Sequence, residues 1–523
     1  MAMKREIGII GLTFIGVGGV IGSGWLFAPM SAAKLAGPAA ILAWAICGVV
    51  FLLLALTYAE VCGRLPVPGG LARLPFFTHG RLVAAAMGWT AWVGYLTTAP
   101  IETVVMLRYL SEPFPWLQSS ETSHSLSAVG VAVAVALLAL MTVLNAFGVA
   151  LFTRINSGLT SVKIFIPLLV AGLLIADRVT MANFTSTPSF MPMGWHGVLS
   201  AIATGGVVFA FVGFRHAIDM AGEVRRPQFT IPIGLALSIV VCLVIYTGLQ
   251  IAFIGALPSA DLAKGWASLD IGHSLGPLGA LALGLGMVWL SVFILAGAVI
   301  APFGGALIST GSNARIGLAL ANNGFFPVIF TKLSGKLVPL NALILNLVIG
   351  VLMVLFMPFS ELLALNGAAL VFSLAVGPVT LLAIRRQDPH GRGTFRLPAA
   401  GLVCFITFTA STLIVYWSGW DTMWRLGLAM AVGAVLFFGM HIMRGGHHLD
   451  YRSALWLVPY FGGLMLYSWL GSFGGGLGII PFGWDILVGI ALSAVCLYFA
   501  VRGRLPDAEA AKHRGQHAEE AES

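Results

Sequence analysis

Long apolar stretches, separated by short polar or basic segments, run through almost the whole chain. A helix of about 20 apolar residues is long enough to cross the hydrocarbon core of a bilayer. The pattern therefore predicts an all-α polytopic membrane protein with about fourteen transmembrane helices, or about twelve if the last two, weaker spans are left out. The predicted spans are residues 7–33, 38–62, 82–110, 126–148, 155–176, 197–222, 230–256, 278–312, 338–357, 360–384, 398–419, 423–443, 454–471 and 484–501.

Composition and charge agree with this layout. The chain is 59% hydrophobic and only 9% charged, whereas soluble domains average about 25% charged residues. With the N-terminus in the cytoplasm, 21 of the 28 Lys and Arg residues fall on the cytoplasmic side and five on the opposite side, as the positive-inside rule requires. Basic loops thus explain the net charge, and nucleic acid is not expected as a partner. We expect a multi-pass protein of the cytoplasmic membrane with both termini in the cytoplasm.

The sequence indicates neither a metal site, a cofactor nor an enzyme. The five cysteines are widely spaced and form no metal-binding or redox pair. No HExxH motif, paired aspartates or Ser–His set occurs at a convincing spacing. The start, MAMKREIG, leads directly into the first apolar run, so a removable signal peptide is not predicted. The polar segment 502–523 is predicted to be a disordered cytoplasmic tail.

Two of the predicted spans contain glycine-rich interruptions. The first span carries GGVIGSGWLFAP at residues 18–29, and the sixth carries Gly205, Gly206 and Gly213. Backbone groups freed by a helix break are tolerated at membrane depth only where they are buried in protein or line a cavity. Close helix packing is the other explanation for membrane glycines. Two breaks five spans apart favour a binding site, because secondary transporters place such pairs at the bilayer midplane.

The motifs around these breaks resemble the amino acid–polyamine–organocation (APC) superfamily of permeases. GGVIGSGWLFAP is similar to the unwound first helix of that family, and ALTYAEVCGRLPVPGG to the end of its second helix. FAFVGFRHAIDMAGEVRRPQFTIP resembles the helix-six break and the signature that follows it. ARIGLALANNGFFPVIFTKL and RGTFRLP are similar to two later loops. The resemblance covers most of residues 5–443.

This resemblance implies a transporter core with a five-plus-five inverted repeat, in which helices 1 and 6 are broken. The core would occupy residues 1–384, with repeat one at about 7–176 and repeat two at about 197–384. Additional transmembrane helices would follow at 398–501. The family's members transport amino acids and related amines, so the resemblance implies an amino acid as substrate.

The two breaks would hold the backbone groups of that amino acid. Helix-end amides suit an anion and freed carbonyls suit a cation, and the resemblance implies that the α-carboxylate binds the first set and the α-ammonium the second. Phe209 matches the aromatic residue that covers the substrate from outside, although core packing alone would also explain it. The implied substrate contacts are the amides of Gly22, Ser23 and Gly24 and the carbonyls at Val20, Ile21, Phe209, Ala210 and Gly213.

Arg215 is a departure from the common family pattern, which has a neutral or acidic residue after the helix-six aromatic. A charge at membrane depth is costly and indicates a function by default. A guanidinium next to the break can bind a second carboxylate in a bidentate manner, which favours aspartate or glutamate as substrate. The GFR pattern resembles that of bacterial aspartate–proton symporters. An internal ion pair of Arg215 with Asp219 or Glu102 is the alternative.

Lys163 and Glu102 are the candidates for proton coupling. In proton-coupled relatives, a helix-five lysine similar to Lys163 places its ammonium where sodium-coupled relatives bind a metal ion between helices 1 and 8. A purely structural cation that tethers helix 1 is the alternative. Glu102, which the sequence puts in the outer half of the cavity, would accept a proton or pair with Arg215.

The remaining candidates lie toward the cytoplasmic side. Glu60 and Glu223 are expected to form salt bridges of an inner gate, together with Arg64, Arg225 or Arg226. For His216, a hydrogen-bonded packing role is expected. Ser309, Thr310 and Ser312 give a weak indication of an ion- or lysine-binding site.

The sequence thus predicts a secondary active transporter that imports amino acids by proton symport, with acidic amino acids as leading substrates. Proton is the driving ion, the bilayer is the surrounding partner, and no obligate subunit is evident. A neutral amino acid transporter or an amino acid exchanger is the alternative. Sodium coupling and a transporter-like sensor are less expected than these. A cationic substrate is the least expected, because Arg215 would repel it.

Overall fold

The computed structural model describes residues 7–67, 69–119, 125–185, 189–271, 276–389, 391, 395–443 and 449–522. This part of the chain is helical, with two isolated β-bridges but no strand. The helices up to the second break are α1 (Ile9–Val20), α2 (Gly24–Ala36), α3 (Ala40–Arg64), α4 (Gly70–Arg73), α5 (Phe76–Leu110), α6 (Ala128–Ala146), α7 (Val149–Arg178), α8 (Ala182–Thr185), α9 (Gly194–Thr204), α10 (Val207–Phe211) and α11 (Arg215–Asp219).

The second half continues in the same manner, with long apolar helices joined by short turns. Its helices are α12 (Pro227–Ala256), α13 (Ser259–Leu262), α14 (Gly276–Gly284), α15 (Val288–Asn322), α16 (Leu340–Phe356), α17 (Phe359–Leu374), α18 (Val376–Gln387), α19 (Ala400–Trp417), α20 (Trp420–Met443), α21 (Tyr451–Ala454), α22 (Leu457–Leu470), α23 (Trp484–Arg502) and α24 (Asp507–Glu522).

Several of these helices are long and apolar enough to cross a membrane. Within the described ranges, nine helical segments meet this condition, and the pair α9 with α10–α11, bent by 45°, makes a tenth. A polytopic, all-helical membrane protein is therefore confirmed. The count of fourteen crossings and the inverted repeat stay predictions, because helices such as α1 and α16 are each shorter than a full span.

Both glycine-rich spans are interrupted in the structure. The first is divided at residues 21–23, between α1 and α2, and the sixth is divided into α9, α10, a 3-10 turn at Val212–Phe214 and α11. Gly206 starts α10 in the left-handed region with φ of 89°, where a residue with a side chain is strained. The two breaks touch: a Cβ built on Gly19 would lie 2.6 Å from the carbonyl oxygen of Gly213.

Three long helices enclose the point where the breaks meet. The helix α15 packs along α5 and α7, while α1 packs against α12 and α7. Because the breaks are surrounded by protein, their freed backbone groups are shielded from lipid, as membrane-embedded irregular backbone requires. This arrangement places side chains from α5, α7 and α15 around one central site.

The C-terminal segment corrects one sequence prediction. The described part of residues 502–523 contains the helix α24 in place of the disorder that its polar composition predicts. Ala510 is fully buried, and the backbone N–H of Leu505 donates to the carbonyl of Thr78 at 2.8 Å. The ring of His513 stacks on Phe76 with centroids 4.6 Å apart. These few contacts stabilise a helix in a segment whose other residues are mostly polar. The overall composition of the segment does not reveal such contacts.

Candidate functional site

A small buried cavity lies where the two breaks meet. Its volume is about 20 Å³, enough for about one water molecule and too small for an amino acid. The structure is therefore a closed form of the site. Residues predicted to act there supply much of its lining: Val20, Glu102, Phe209, Gly213, Arg215, His216 and Ser309. Tyr95, Thr98 and Asn366 also line the cavity, and the sequence did not single them out.

The carboxylate of Glu102 occupies the amide end of the first break. The backbone N–H of Ser23 donates to Glu102 Oε2 at 2.8 Å. A Cβ built on Gly22 would lie 2.9 Å from Glu102 Cδ, so glycine is needed for this approach. The predicted anion site is thus filled by a carboxylate of the protein itself. Glu102 contacts this break, and the described residues contain no ion pair between Glu102 and Arg215. The alternative prediction, that Glu102 pairs with Arg215, is therefore wrong for this closed form.

The carbonyl end of the first break is also engaged by side chains. The hydroxyl of Tyr246 donates to the carbonyl oxygen of Val20 at 2.8 Å, and the N–H of Gly22 donates to the same oxygen at 2.9 Å. This oxygen, predicted to meet the substrate ammonium, is therefore paired in the closed form. Tyr246 lies within the largely apolar α12, and the sequence did not single it out for a polar role.

Lys163 lies between the first break and α15. Its Nζ donates to the carbonyl oxygen of Gly18 at 2.7 Å, and the side chain is only 1% exposed. A Cβ built on Gly304 would lie 2.6 Å from this Nζ, and one built on Gly305 would lie 3.2 Å from Glu102 Oε1. The lysine and the glutamate therefore approach neighbouring positions of α15. The placement matches the geometry that the family resemblance implies, while the coupling role stays a prediction.

Arg215 is buried in the cavity wall without an ion pair. Its Cζ lies 3.3 Å from the centre of the Tyr95 ring, and the residue is 1% exposed. Nη1 and Nη2 have no hydrogen-bond partner among the residues that the structure describes. Among the described residues there is no ion pair of Arg215 with Asp219 or Glu102. Stacking on an aromatic face stabilises the cation and leaves its hydrogen-bond donors available.

Tyr95 separates Arg215 from the carboxylate that the sequence expected as its partner. The Tyr95 hydroxyl donates to Asp219 Oδ2 at 2.5 Å. His216, the next residue after Arg215, has its Nδ1 3.0 Å from Ser312 Oγ, which fits a hydrogen-bonded packing role. Asn366 donates from Nδ2 to the carbonyl of Gly94 at 2.8 Å, whereas its buried Oδ1 has no partner.

Aromatic residues cover one side of the cavity. The ring of Phe209 lies 6.0 Å from that of Phe27, which lies 5.9 Å from that of Phe359. The Arg108 guanidinium lies over Phe359, 4.5 Å from its centre. Phe209 is 8% exposed and packs in this cluster. The contacts fit a removable cover, and its function as a gate stays a prediction.

Glu60 is the centre of a buried ion cluster at the opposite end. Its carboxylate, 0% exposed, accepts from Arg64 Nε at 3.1 Å and from Arg385 Nη2 at 2.6 Å. The backbone N–H of Leu397 donates to Glu60 Oε2 at 2.7 Å. The Arg64 pair has the helical spacing that the sequence predicted, whereas Arg385 was missed because it comes from α18, far along the chain.

Glu223 does not join this cluster. The described residues contain no ion pair of Glu223 with Arg225 or Arg226. The backbone carbonyl of Glu223 instead accepts a hydrogen bond from the N–H of Ile7 at 3.1 Å. The N–H of Arg225 donates to the carbonyl oxygen of Ile7 at 2.9 Å. The expected side-chain pair is thus replaced by a backbone link between the start of the chain and the end of the sixth span.

Replacing Glu60 by glutamine is expected to destabilise the closed form. The change leaves Arg64 and Arg385 without their charge partner, and breaking a buried pair costs about 3–5 kcal/mol. The apparent Tm of the purified protein should fall. Glu361→Gln is the matched control, because its pair with Arg425 is 32% exposed on the glutamate side and is worth less than about 1 kcal/mol. Equal Tm values for both variants would contradict this interpretation of Glu60.

Replacing Gly213 by alanine is expected to reduce transport strongly. The added Cβ would collide with the backbone carbonyl of Gly19, which cannot move aside as a flexible side chain can. Displacing a binding group by about 1 Å can cost roughly 100-fold in rate, so initial uptake should fall by about that factor. Gly172→Ala is the control, since nothing lies within 4 Å of a Cβ there. Similar uptake by both variants would show that the breaks need not touch.

Comparison with known proteins addresses the family of this chain. A family model described as amino acid permease matches residues 7–437. A glutamate/serine transporter of Bacillus subtilis is 34% identical over 510 residues, covering 96% of this chain and 94% of the relative. An aspartate-proton symporter of the same organism is 32% identical over 502 residues, covering 95% and 96%. A branched-chain amino acid permease of B. subtilis is 25% identical over 448 residues, covering 84% and 93%.

Proposed function

The chain belongs to the amino acid permease family of the APC superfamily, and we propose that it is a secondary active transporter that imports amino acids together with protons. Aspartate and glutamate are the leading substrates. One observation carries this choice: the buried guanidinium of Arg215 lines the central cavity with two nitrogens that have no partner in the protein. Two of the relatives described above, which are 34% and 32% identical, have an acidic amino acid in their names, and this supports the choice.

Substrate binding begins with a competition for the first break. The N–H of Ser23 is already bonded to Glu102, and a single N–H cannot serve two carboxylates fully. Two negative charges in one buried site also repel each other. The α-carboxylate of the substrate therefore displaces the Glu102 side chain, and the closed cavity widens as this side chain leaves.

The substrate's second carboxylate then binds Arg215. A guanidinium offers two parallel N–H donors that match both oxygens of a carboxylate. The Tyr95 ring holds the guanidinium in place from one face. A neutral amino acid would leave these buried donors unpaired, which costs about 1–3 kcal/mol or more for a charged group. This difference is the basis of the proposed preference for acidic substrates.

Proton coupling is assigned to Lys163 and Glu102. A protonated Lys163 binds the carbonyl of Gly18 as a cation and attracts the nearby Glu102 carboxylate, and the attraction ends when the amine loses its proton. Loss of the proton therefore weakens the contact of Lys163 on α7 with the carbonyl of Gly18 on α1. A displaced Glu102 is free to take up a proton at the same time. Proton state and substrate binding would thus act on the same segment of α1.

Alternating access would open the two ends in turn. The aromatic cluster of Phe27, Phe209 and Phe359 would open toward the outside, and the Glu60 cluster toward the cytoplasm. The substrate and the proton bind the outward-open and inward-open states with different affinities, and each of them thereby shifts the populations of these states. Under the positive-inside rule, the basic loops support a protein of the cell membrane with the Glu60 end and both termini in the cytoplasm.

A competition series tests the substrate class. Uptake of labelled aspartate into proteoliposomes is measured with excess unlabelled aspartate, glutamate, serine, leucine or arginine. Aspartate and glutamate should compete best and arginine worst, because the site presents a buried cation. Stronger competition by leucine or serine than by glutamate would favour the neutral amino acid alternative and would turn Arg215 into a structural cation.

A further inference from the structure

A second buried cavity lies next to the central one, between α5, α6, α15 and α16. Its volume is about 20 Å³, and Tyr95 lines both cavities. Besides Tyr95, the polar part of its lining consists of Thr142, Thr310, Asn313 and Asn346, while its remaining lining residues are apolar. No charged side chain lines it. None of these four residues takes part in the substrate site described above.

The two asparagines are the unexplained feature of this cavity. Asn313 is 1% exposed and Asn346 is 7% exposed. Within the described part of the chain, both the nitrogen and the oxygen of each amide lack a hydrogen-bond partner. More than about 90% of buried polar groups in proteins are paired, and leaving one unpaired costs about 1–3 kcal/mol. Two such amides in one cavity therefore point to a polar ligand.

Water is the ligand that fits this cavity. A volume of about 20 Å³ exceeds the roughly 10–15 Å³ that one water molecule needs. The hydroxyls of Thr142 and Thr310 donate to helix carbonyls at 2.9 and 2.8 Å, so their oxygens can still accept. The amides supply both donors and acceptors. A metal ion fits less well, because hard cations prefer carboxylate ligands and the lining has none.

A third cavity is lined by neighbouring residues of the same helices α6, α15 and α16. Its volume is about 40 Å³, and Asn145 of α6, Gly311 and Arg315 of α15 and Leu343 of α16 line it. Asn145 follows Thr142 by three residues, and residues three or four apart lie on one helix face. The third cavity also includes Leu337, which is 64% exposed. The third cavity therefore reaches the surface at the end of the molecule that carries Arg315.

We infer that the second and third cavities join into one crevice, and that water molecules held there by Asn313 and Asn346 form a side path along which protons reach Tyr95 and the central cavity apart from the substrate. The part of this inference that concerns protons rests on the proposed proton coupling, whereas the bound water does not. Tyr95 is the titratable group that meets the path. Beyond it, Glu102 and Arg215 face the central cavity.

Hydroxyl-radical labelling read by mass spectrometry tests the bound water. Water inside the protein generates label on the side chains next to it, so Leu138 and Leu96, which line the cavity, should be labelled. Fully buried Leu54 serves as the dry reference. Asn346→Leu fills the cavity with an apolar group and should remove the label, whereas the smaller, polar Asn346→Ser should keep it. Labelling at the level of Leu54 in the unmodified protein, or equal labelling in all three proteins, would overturn the inference.

Transport by the same variants tests the role in proton access. Asn346→Leu should slow pH-gradient-driven aspartate accumulation, because the apolar side chain takes the place of the water that bridges the polar groups, and should leave aspartate counterflow unchanged. Asn346→Ser should leave both unchanged. Loss of label without loss of gradient-driven accumulation would overturn the proton path. If the unmodified protein shows no gradient-driven accumulation, the proposed coupling fails, and labelling still decides whether the water is there.

Discussion

Aspartate uptake by the Arg215→Gln variant is expected to fall about 30-fold or more in kcat/KM, because truncating one partner of a buried charge pair costs about 2–5 kcal/mol or more. Arg215 is 1% exposed, and the described residues place no competing carboxylate within ion-pair distance of it. Its loss therefore acts on the substrate more than on an internal partner. Uptake of serine or leucine should change far less. The measurement is initial uptake into proteoliposomes over a range of substrate concentrations.

Two control variants separate charge, geometry and stability. Arg215→Lys keeps the charge but lacks the planar pair of donors, so it should recover only part of the aspartate uptake. Arg425→Gln removes an arginine whose pair with Glu361 is partly exposed, and it should behave like the unmodified protein. Aspartate uptake that survives in Arg215→Gln at the unmodified level would show that Arg215 is only a structural cation beside Tyr95.

Accumulation driven by a proton gradient is expected to vanish in the Lys163→Ala variant. A gradient of one pH unit supports about tenfold accumulation for each proton carried, since each unit corresponds to about 1.4 kcal/mol. The variant loses the amine that binds Gly18 and should reach only the external concentration. Counterflow of aspartate, which needs no net proton movement, should persist at a reduced rate. Accumulation and counterflow are measured side by side in sodium-free proteoliposomes.

Lys163→Arg distinguishes proton coupling from tethering. Arginine can still donate to the Gly18 carbonyl but does not release its proton. A coupling role predicts that accumulation stays lost in this variant, whereas a purely structural cation predicts recovery. Lys34→Ala, at the end of α2, is the control for removing a lysine outside the site. Gradient-driven accumulation by Lys163→Ala equal to that of the unmodified protein would remove this residue from the mechanism.

Local sequence features predicted the parts of the site that depend on short-range chemistry. Glycines at 22 and 213 mark the two breaks because only glycine allows the backbone to approach Glu102 and Gly19. The Glu60–Arg64 pair follows from the four-residue helical spacing. Lys163 and Arg215 stand out because a charged residue in an apolar span is costly. Each of these signals is visible within a single helix.

Contacts between distant segments were not predictable in the same way. Glu102 binds Ser23 across 79 residues, and Arg385 binds Glu60 across 325. The helical spacing favours a pair of Arg215 with Asp219, but Tyr95 from α5 lies against both. Which side chains of neighbouring helices meet depends on how the helices pack, and a single sequence carries no direct record of that packing.

Uptake of labelled aspartate into sodium-free proteoliposomes, with and without an inward proton gradient, tests the central claim most directly. The account predicts that aspartate accumulates above its external concentration only when the gradient is present, and that labelled arginine does not accumulate. Aspartate uptake that needs sodium or internal substrate, and that ignores the proton gradient, would contradict it.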